Sequence, residues 1–253
     1  MIDYFTNYFE RWRSVMEPHL GTSFYLSAHS LGAYLIAHYA MKCPDRFKGL
    51  ILVSPPGVSP RTHDKSYQDV MKSDMDYFPY LIEMVIHYVF ASKFTAYDFG
   101  RFLGPRIGGM VLDRGIGMRC DKFDEGEKMM IGNYLQQCLF RRGTGERAIQ
   151  VLFEITSKSL LQALIPLGTA DKLASPDFKL PFSILFADND LVSHFDNGFS
   201  EQLIRRRRSM EGDGANAQRK YHFKTVPNST HKIMIDNPVG LAEIIIDIFC
   251  DKK

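Results

Sequence analysis

A chain of 253 residues with 45% hydrophobic composition can bury one sizeable core, and this length fits one domain carrying an insertion better than two domains. The formal net charge of +2 singles out no polyanionic partner, and nothing in the charge pattern calls for nucleic acid. Four cysteines (Cys43, Cys120, Cys138, Cys250) lack C-x-x-C spacing, which argues for a reducing compartment and against a zinc site while leaving a disulfide open.

The chain opens with neither the basic stretch and apolar run of a secretory signal nor an Arg/Ser-rich transit pattern. In residues 2–17, Ile2, Phe5, Phe9, Trp12 and Met16 recur every three or four positions, which predicts an amphipathic helix closed by Pro18. Phe24-Tyr25-Leu26 then predicts a strand, and Ala33-Tyr34-Leu35-Ile36-Ala37 opens a helix that reaches about Lys42. Between them stands Ser27-Ala28-His29-Ser30-Leu31-Gly32, a one-residue variant of the G-x-S-x-G nucleophile elbow with Ala28 in the first glycine place. Small flanking residues let strand and helix pass closely, and the strained turn lifts the Ser30 hydroxyl to the helix N-terminus. There the Leu31 N–H can serve as one oxyanion donor.

Leu50-Ile51-Leu52-Val53 is a continuous apolar run, as in a strand buried on both faces of a parallel sheet. From Ser54-Pro55-Pro56-Gly57 onward the pattern turns helical and irregular to about residue 175. Tyr77 to Phe94 is apolar and aromatic, but Tyr80–Ala91 contains Glu83 and His87 and is shorter than the roughly 20 residues a bilayer span needs. Six glycines and Pro105 interrupt residues 100–119, and helices are predicted over 128–142 and 146–167. The α/β pattern resumes with a strand at Phe182–Ala187 and a helix over 196–209. That helix ends in Arg205-Arg206-Arg207-Arg208, read as a solvated C-terminus complementing the dipole rather than a phosphate or lipid contact. A loop at 212–216, a strand at Tyr221–Val226 and a last helix from Asn237-Pro238 to Cys250 complete the chain. The expected fold is α/β, a mostly parallel sheet with helices on both faces. Residues 1–54 would form the elbow half of the core, 55–178 a helical lid, and 179–253 the half bearing acid and histidine.

A serine nucleophile needs a base within reach and a carboxylate to orient that base. The strand at 182–187 runs into Asp188-Asn189-Asp190, and the strand at 221–226 runs into Pro227-Asn228-Ser229-Thr230-His231. The order serine, acid, histidine is that of elbow hydrolases. Asp190 is the preferred acid because Ala187 takes the glycine place of a Gly-x-x-Asp turn, leaving Asp188 for backbone amides. Ser54, after the strand at 50–53, offers no alternative acid. The site residues are therefore Ser30, Asp190 and His231 with Leu31 N–H, and the chemistry needs no metal or organic cofactor.

On these residues the sequence resembles the α/β-hydrolase superfamily. It most resembles the subfamily of lipid-droplet lipolysis co-activators, N-acylphosphatidylethanolamine lipases and cardiolipin deacylases. Glu10-Arg11-Trp12-Arg13 is similar to that subfamily's Glu-Glu-Trp-Arg, and Arg101-Phe102-Leu103-Gly104-Pro105-Arg106-Ile107-Gly108 to its Arg-x-x-Gly-Pro-x-x-Gly. Gly145-Glu146 is similar to its Ser-Gly-Glu, and Leu50–Val53 with Pro55-x-Gly57 to its next strand and loop. His231 to Asp236 matches its His-x4-Asp, an acyltransferase-type signature in which Asp236 also reads as a helix-start acid. The resembled fold has earlier strands, one followed by an HG-rich loop with the second oxyanion donor. No such segment precedes this elbow, so an N-terminally incomplete sheet is expected, open beside the nucleophile strand.

The resemblance implies a serine hydrolase of lipid acyl esters (a lysophospholipid or phospholipid type, with acyl transfer as a variant). Its lid would touch a membrane or lipid droplet. The protein would be intracellular, cytoplasmic or peripheral on an organelle membrane such as the mitochondrial one. The alternatives are a co-activator or scaffold whose protein partner completes the open sheet edge, and an esterase of small molecules.

Overall fold

The computed structural model describes residues 1–60, 92, 94–119, 123–141, 143, 145–154, 162–212 and 214–250. The chain divides into two compact units, one of Met1–Lys65 with Leu152–Lys253 and one of Ser66–Val151.

The first unit starts with helix α1 (Ile2–Leu20), strand β1 (Phe24–His29), helix α2 (Leu31–Lys42) and strand β2 (Phe47–Val53). α1 runs two residues past Pro18, because the Gly21 N–H still closes the last turn onto the Glu17 carbonyl at 2.8 Å. It ends at Gly21, whose φ of 75° a side chain would resist. The Glu10-Arg11-Trp12-Arg13 segment has a structural use. The buried Arg13 guanidinium donates to Glu10 (2.8 and 2.9 Å) and Glu17 (2.7 Å), and Tyr39 of α2 donates its hydroxyl to Glu10. Arg13, with help from Tyr39, holds the Glu10 carboxyl down at about 2.

The second half of this unit holds β5 (Phe182–Asn189), β6 (Tyr221–Thr230) and the last helix, Pro238–Cys250. It is preceded by a two-residue pair, β3 (Phe153–Glu154) and β4 (Gln162–Ala163), whose strands run antiparallel. The main sheet has the order β1-β2-β5-β6, every neighbouring pair parallel. His29 lies opposite Val53, Val53 opposite Leu185, and Asn189 opposite Thr230. The carboxyl ends of all four strands therefore share one edge of the sheet, the edge where open α/β sheets carry their sites. β2 from Gly49 to Val53 and β5 from Phe182 to Ala187 are buried on both faces, as in a parallel sheet covered by helices. Ile51, Val53, Leu185, Ala187 and Val226 pack with Ile233, Leu241 and Ile248, while α2 lies on β1 and β2. Beyond β1 no further strand pairs among the described residues.

Three sequence expectations change. In place of a helix over 146–167 there is a short helix, Ala148–Leu152, followed by the β3–β4 pair. Tertiary packing overrides the helical period here. The Phe153 ring meets the Tyr34 ring of α2 at 4.9 Å, and the Tyr34 hydroxyl donates to the Ile165 carbonyl at 3.0 Å. Gly57 lies beneath, with φ 72°, and a Cβ on it would stand 2.4 Å from the Ala163 Cβ. Second, the helix over 196–209 is two helices, Leu191–Asp196 and Phe199–Met210. Asn197 and Gly198 both adopt left-handed φ (49° and 73°) between them, as an Asn-Gly pair readily does. Third, the loop at 212–216 gives way to a helix at Ala215–Lys220, and β6 extends to Thr230.

The arginine run is only partly solvated. Arg207 is fully buried and donates to the carbonyls of Ser175 and Phe178 and to the Tyr221 hydroxyl, while Arg208 donates to the Tyr221 carbonyl at 2.8 Å.

In the second unit, helices α3 (Ala96–Arg119) and α4 (Glu125–Phe140) pack together. α3 kinks at Gly104 (φ 74°, ψ 171°), where Pro105 cannot donate. Asp124 and Glu127 form a reciprocal capping box at the start of α4. The Arg101 and Glu146 segments meet here: Arg101 donates to Glu146, to Asp98 (3.3 Å) and to the Arg141 carbonyl (3.1 Å). Apart from Ser92 and Phe94, the apolar stretch Tyr77 to Phe94 lies outside the described residues.

Candidate active site

β1 ends at His29, and α2 starts at Leu31, so one residue makes the whole turn. Ser30 makes it at φ 53° and ψ −129°, a left-sided conformation that costs a non-glycine residue about 1–3 kcal/mol. Its N–H donates to the Val53 carbonyl at 2.8 Å, and its own carbonyl accepts from Tyr34 at 3.2 Å. The hydroxyl makes no capping bond to α2 and is free to face outward. Leu31 is the first residue of α2, where backbone N–H groups lack intrahelical partners. A Cβ on Gly32 would meet nothing within 4 Å, so packing among the described residues does not demand glycine there.

The structure brings Ser30, Asp190 and His231 together, all within the first unit. The Ser30 Oγ stands 2.9 Å from His231 Nε2, and His231 Nδ1 stands 3.0 Å from Asp190 Oδ1. A carboxylate only accepts, so Nδ1 carries the hydrogen, and the neutral ring presents Nε2 as the acceptor for the Ser30 O–H. Asp190 is fully buried. Burial alone pushes its carboxyl up, but bonds from His231, Ser54 and the Val192 N–H (2.9 Å) together hold it below its ordinary value. With the folded value depressed, the carboxylate's contribution to stability is complete above the unfolded value, about pH 4, and is lost as pH falls through the folded one.

Two partners of this set lie outside the sequence reading. Ser54, which offers no carboxylate, donates its hydroxyl to Asp190 Oδ2 from a buried position with φ 46°. His29 donates from Nε2 to the His231 carbonyl at 2.8 Å, and the two rings lie 4.8 Å apart. Asp188 binds backbone amides, those of Asn228 (2.8 Å) and Ser229 (2.9 Å) on β6, which pull its carboxyl down. Asp236 accepts from the Thr230 N–H at 2.8 Å and from the Thr230 hydroxyl. It therefore braces the turn holding His231, and neither bond reaches Ser30.

The arrangement can move a proton from a serine hydroxyl to an imidazole whose other nitrogen faces a buried anion, which is the chemistry of an activated nucleophile. A cavity of about 720 Å³ opens elsewhere, lined by Phe47, Lys48, Asp171, Phe178, Lys179 and Pro181. It lies at the amino ends of β2 and β5, opposite the Ser30 edge. No cluster of His, Cys, Asp and Glu suited to a metal ion occurs among the described residues. None of their helices is long and apolar enough to cross a membrane.

Comparison with known proteins agrees with this architecture. A family model described as serine hydrolase matches residues 9–93. A 1-acylglycerol-3-phosphate O-acyltransferase of Arabidopsis thaliana is 25% identical over 257 residues, covering 96% of this chain and 52% of its own length. A relative from Oryza sativa subsp. japonica that carries the same activity in its name is also 25% identical, covering 96% and 53%. The chain thus spans about half the length of the curated relatives it matches. Among solved structures, a thermophilic esterase from Thermogutta terrifontis superimposes with a TM-score of 0.52 at 15% identity, covering 98% of this chain and 72% of that one. A Bacillus subtilis protein assigned as a hydrolase gives 0.51 at 14%, covering 96% and 66%. At these identities the structural likeness speaks for the fold.

Proposed function

We propose that this chain, which adopts the α/β-hydrolase fold, is a serine hydrolase of lipid acyl esters. The bonded series Asp190–His231–Ser30 carries this reading. Ser30 Oγ attacks the acyl carbonyl while its proton passes to His231 Nε2. The C–O bond of the ester breaks, and Nε2 returns that proton to the leaving alkoxide oxygen. Water then gives a proton to Nε2 as its oxygen attacks the acyl-serine, and Ser30 departs reprotonated. Asp190 fixes the ring and stabilises the imidazolium. Leu31 N–H supplies one oxyanion donor. A lost oxyanion donor lowers the rate by about 10²–10³.

Ser54 assists by orienting the acid. Ser54→Ala removes a hydrogen bond to a charged group, so kcat falls about tenfold with KM unchanged. Equal steady-state constants for the two forms would remove Ser54 from the mechanism.

Two observations favour a lipid substrate. The relatives are named for 1-acylglycerol-3-phosphate O-acyltransferase activity, the transfer of an acyl group to a lysolipid. In addition, α3 and α4 expose Phe102, Ile107, Met110, Val111, Met129, Met130 and Tyr134. Such a surface suits acyl chains or a membrane or droplet surface. The side of β1 that pairs with no strand among the described residues suits a partner strand. Acyl transfer differs from hydrolysis only in the acceptor, with a lysolipid hydroxyl in place of water. Asp236, bound to Thr230, has a bracing part in either reaction.

The test is a series of p-nitrophenyl esters from two to sixteen carbons, run with and without a lysophospholipid acceptor. kcat/KM should rise at least about tenfold from the short to the long chains, since burying even one further methylene group is worth about 1–3 kcal/mol. A flat or falling series would leave an esterase of small molecules. No turnover of any ester would leave the scaffold reading.

A further inference from the structure

We propose that His29, the residue before the nucleophile, is a positioning residue that holds the general base in place while Ser30 is acylated. This rests on the proposed roles of Ser30 and His231. His231 lies in the short turn between β6 (Tyr221–Thr230) and the helical turn Ile233–Asp236, the kind of connection that can shift unless pinned. Each strand that supplies part of the site reaches toward it. From β5, Asp188 grips the amides of Asn228 and Ser229. Within the turn, Asp236 grips Thr230. From β1, His29 grips the backbone of His231 itself, across 202 residues of chain.

The chemistry of that third grip is specific. The acceptor is a peptide carbonyl, which cannot donate, so His29 Nε2 must carry a hydrogen. The bond is made to the main chain and leaves both ring nitrogens of His231 for Asp190 and Ser30. The His29 ring also lies 4.8 Å from the His231 ring at 42°, so it limits ring tilt as well as loop position. Burial pushes the His29 ring below its ordinary titration range. The groups that face it are His231, whose charge would add to that depression, and Asp190, which opposes it.

The bond matters most at one point in the cycle. In the free enzyme Ser30 Oγ–H holds Nε2 directly at 2.9 Å. Once Ser30 carries an acyl group its oxygen has no hydrogen, and that link is given up. The His29 bond survives acylation, because neither of its atoms takes part in the reaction. It therefore keeps Nε2 over the acyl carbon while water enters, and displacement of a reacting group by about 1 Å costs on the order of 10²-fold. Loss of His29 should slow deacylation more than acylation.

The test compares wild type with His29→Phe, which keeps a ring without the donor, and His29→Gln, whose amide can donate to the same carbonyl. With a long-chain p-nitrophenyl ester in stopped flow, His29→Phe should show a burst near one equivalent followed by steady turnover lowered about 10- to 100-fold. His29→Gln should recover most of that loss. A merely structural role would lower burst amplitude and turnover together, with a fall in melting temperature and no rescue by glutamine, and would overturn the proposal. So would unchanged deacylation in His29→Phe. The wild type separates this from the underlying reading. If it neither turns over esters nor reacts with a fluorophosphonate, the hydrolase reading fails. The positioning claim is then read from the Nδ1 proton resonance of His231 by NMR, which should broaden or move in His29→Phe and return in His29→Gln, and an unchanged resonance would refute it.

Discussion

Replacing Ser30 by alanine removes ester turnover, with kcat falling about 10⁶-fold to the residual rate that binding and oxyanion donors alone support. The expectation follows from geometry: the Oγ is the atom 2.9 Å from His231 Nε2, and no other hydroxyl in the described set bonds that nitrogen. A second substitution separates chemistry from folding. Ser30 sits at φ 53° and ψ −129°, where a side chain costs about 1–3 kcal/mol. Ser30→Gly should therefore be as inactive as the alanine form yet unfold at a higher temperature, while Ser30→Ala keeps the strain. Activity lost together with stability in both variants would place the serine in the scaffold instead. Residual turnover above a few per cent in either would point to a different nucleophile.

Asp190→Asn is the second large effect, a fall in kcat of about 10⁴-fold with little change in KM. The fully buried carboxylate accepts from three donors, His231 Nδ1–H, the Ser54 hydroxyl and the Val192 N–H. An amide in its place offers one acceptor oxygen and two donor hydrogens. If the NH2 faces His231, the ring must present Nδ1 as acceptor and carry its hydrogen on Nε2, the wrong tautomer to receive a proton from Ser30. The variant should fold, because the amide is isosteric and its oxygen, then on the Ser54 side, keeps that bond while only the Val192 N–H gives up its acceptor. Measured kcat and KM with circular dichroism check this. Asp188→Asn serves as the control, since its bonds to Asn228 and Ser229 position the base loop without touching the ring. An Asp188→Asn loss equal to that of Asp190→Asn would contradict the assignment of the acid.

Much of this was legible in the chain. Leu50–Val53 reads as a doubly buried strand because no polar residue breaks the run, Phe182–Ala187 has Ser183 as its one polar residue, and both lie in the middle of the sheet. Asp190 stands just beyond the second of these runs, and His231 beyond the strand that starts at Tyr221. The structure brings His231 to bonding distance of Ser30 and Asp190 to that of His231 because the strands are parallel and end at one edge of the sheet. What stayed hidden depends on contacts between distant residues. His29 occupies a variable place in the elbow pattern, and only the return of β6 to the same sheet edge gives it the His231 carbonyl as a partner. Ser54 looked like the loss of an acid, since the carboxylate it serves lies 136 residues away. Phe153–Glu154 and Gln162–Ala163 pair as strands packed on Tyr34 and Gly57, which no local propensity reports. The break at Asn197-Gly198 was visible as a turn dipeptide and was masked by the apolar period around it. Arg207 stood in a run that looked solvated, and its burial comes from carbonyls at Ser175 and Phe178.

The central claim is that Ser30 is a nucleophile activated through His231 by Asp190. The most direct measurement is mass-spectrometric mapping of the adduct formed by a fluorophosphonate, which reacts with serines only where a base has activated them. One phosphonylated site is expected, on the peptide containing Ser30, formed about 10²-fold or more faster in wild type than in His231→Ala. Adduct on another serine, or folded protein left unmodified while a control hydrolase is labelled, would contradict it.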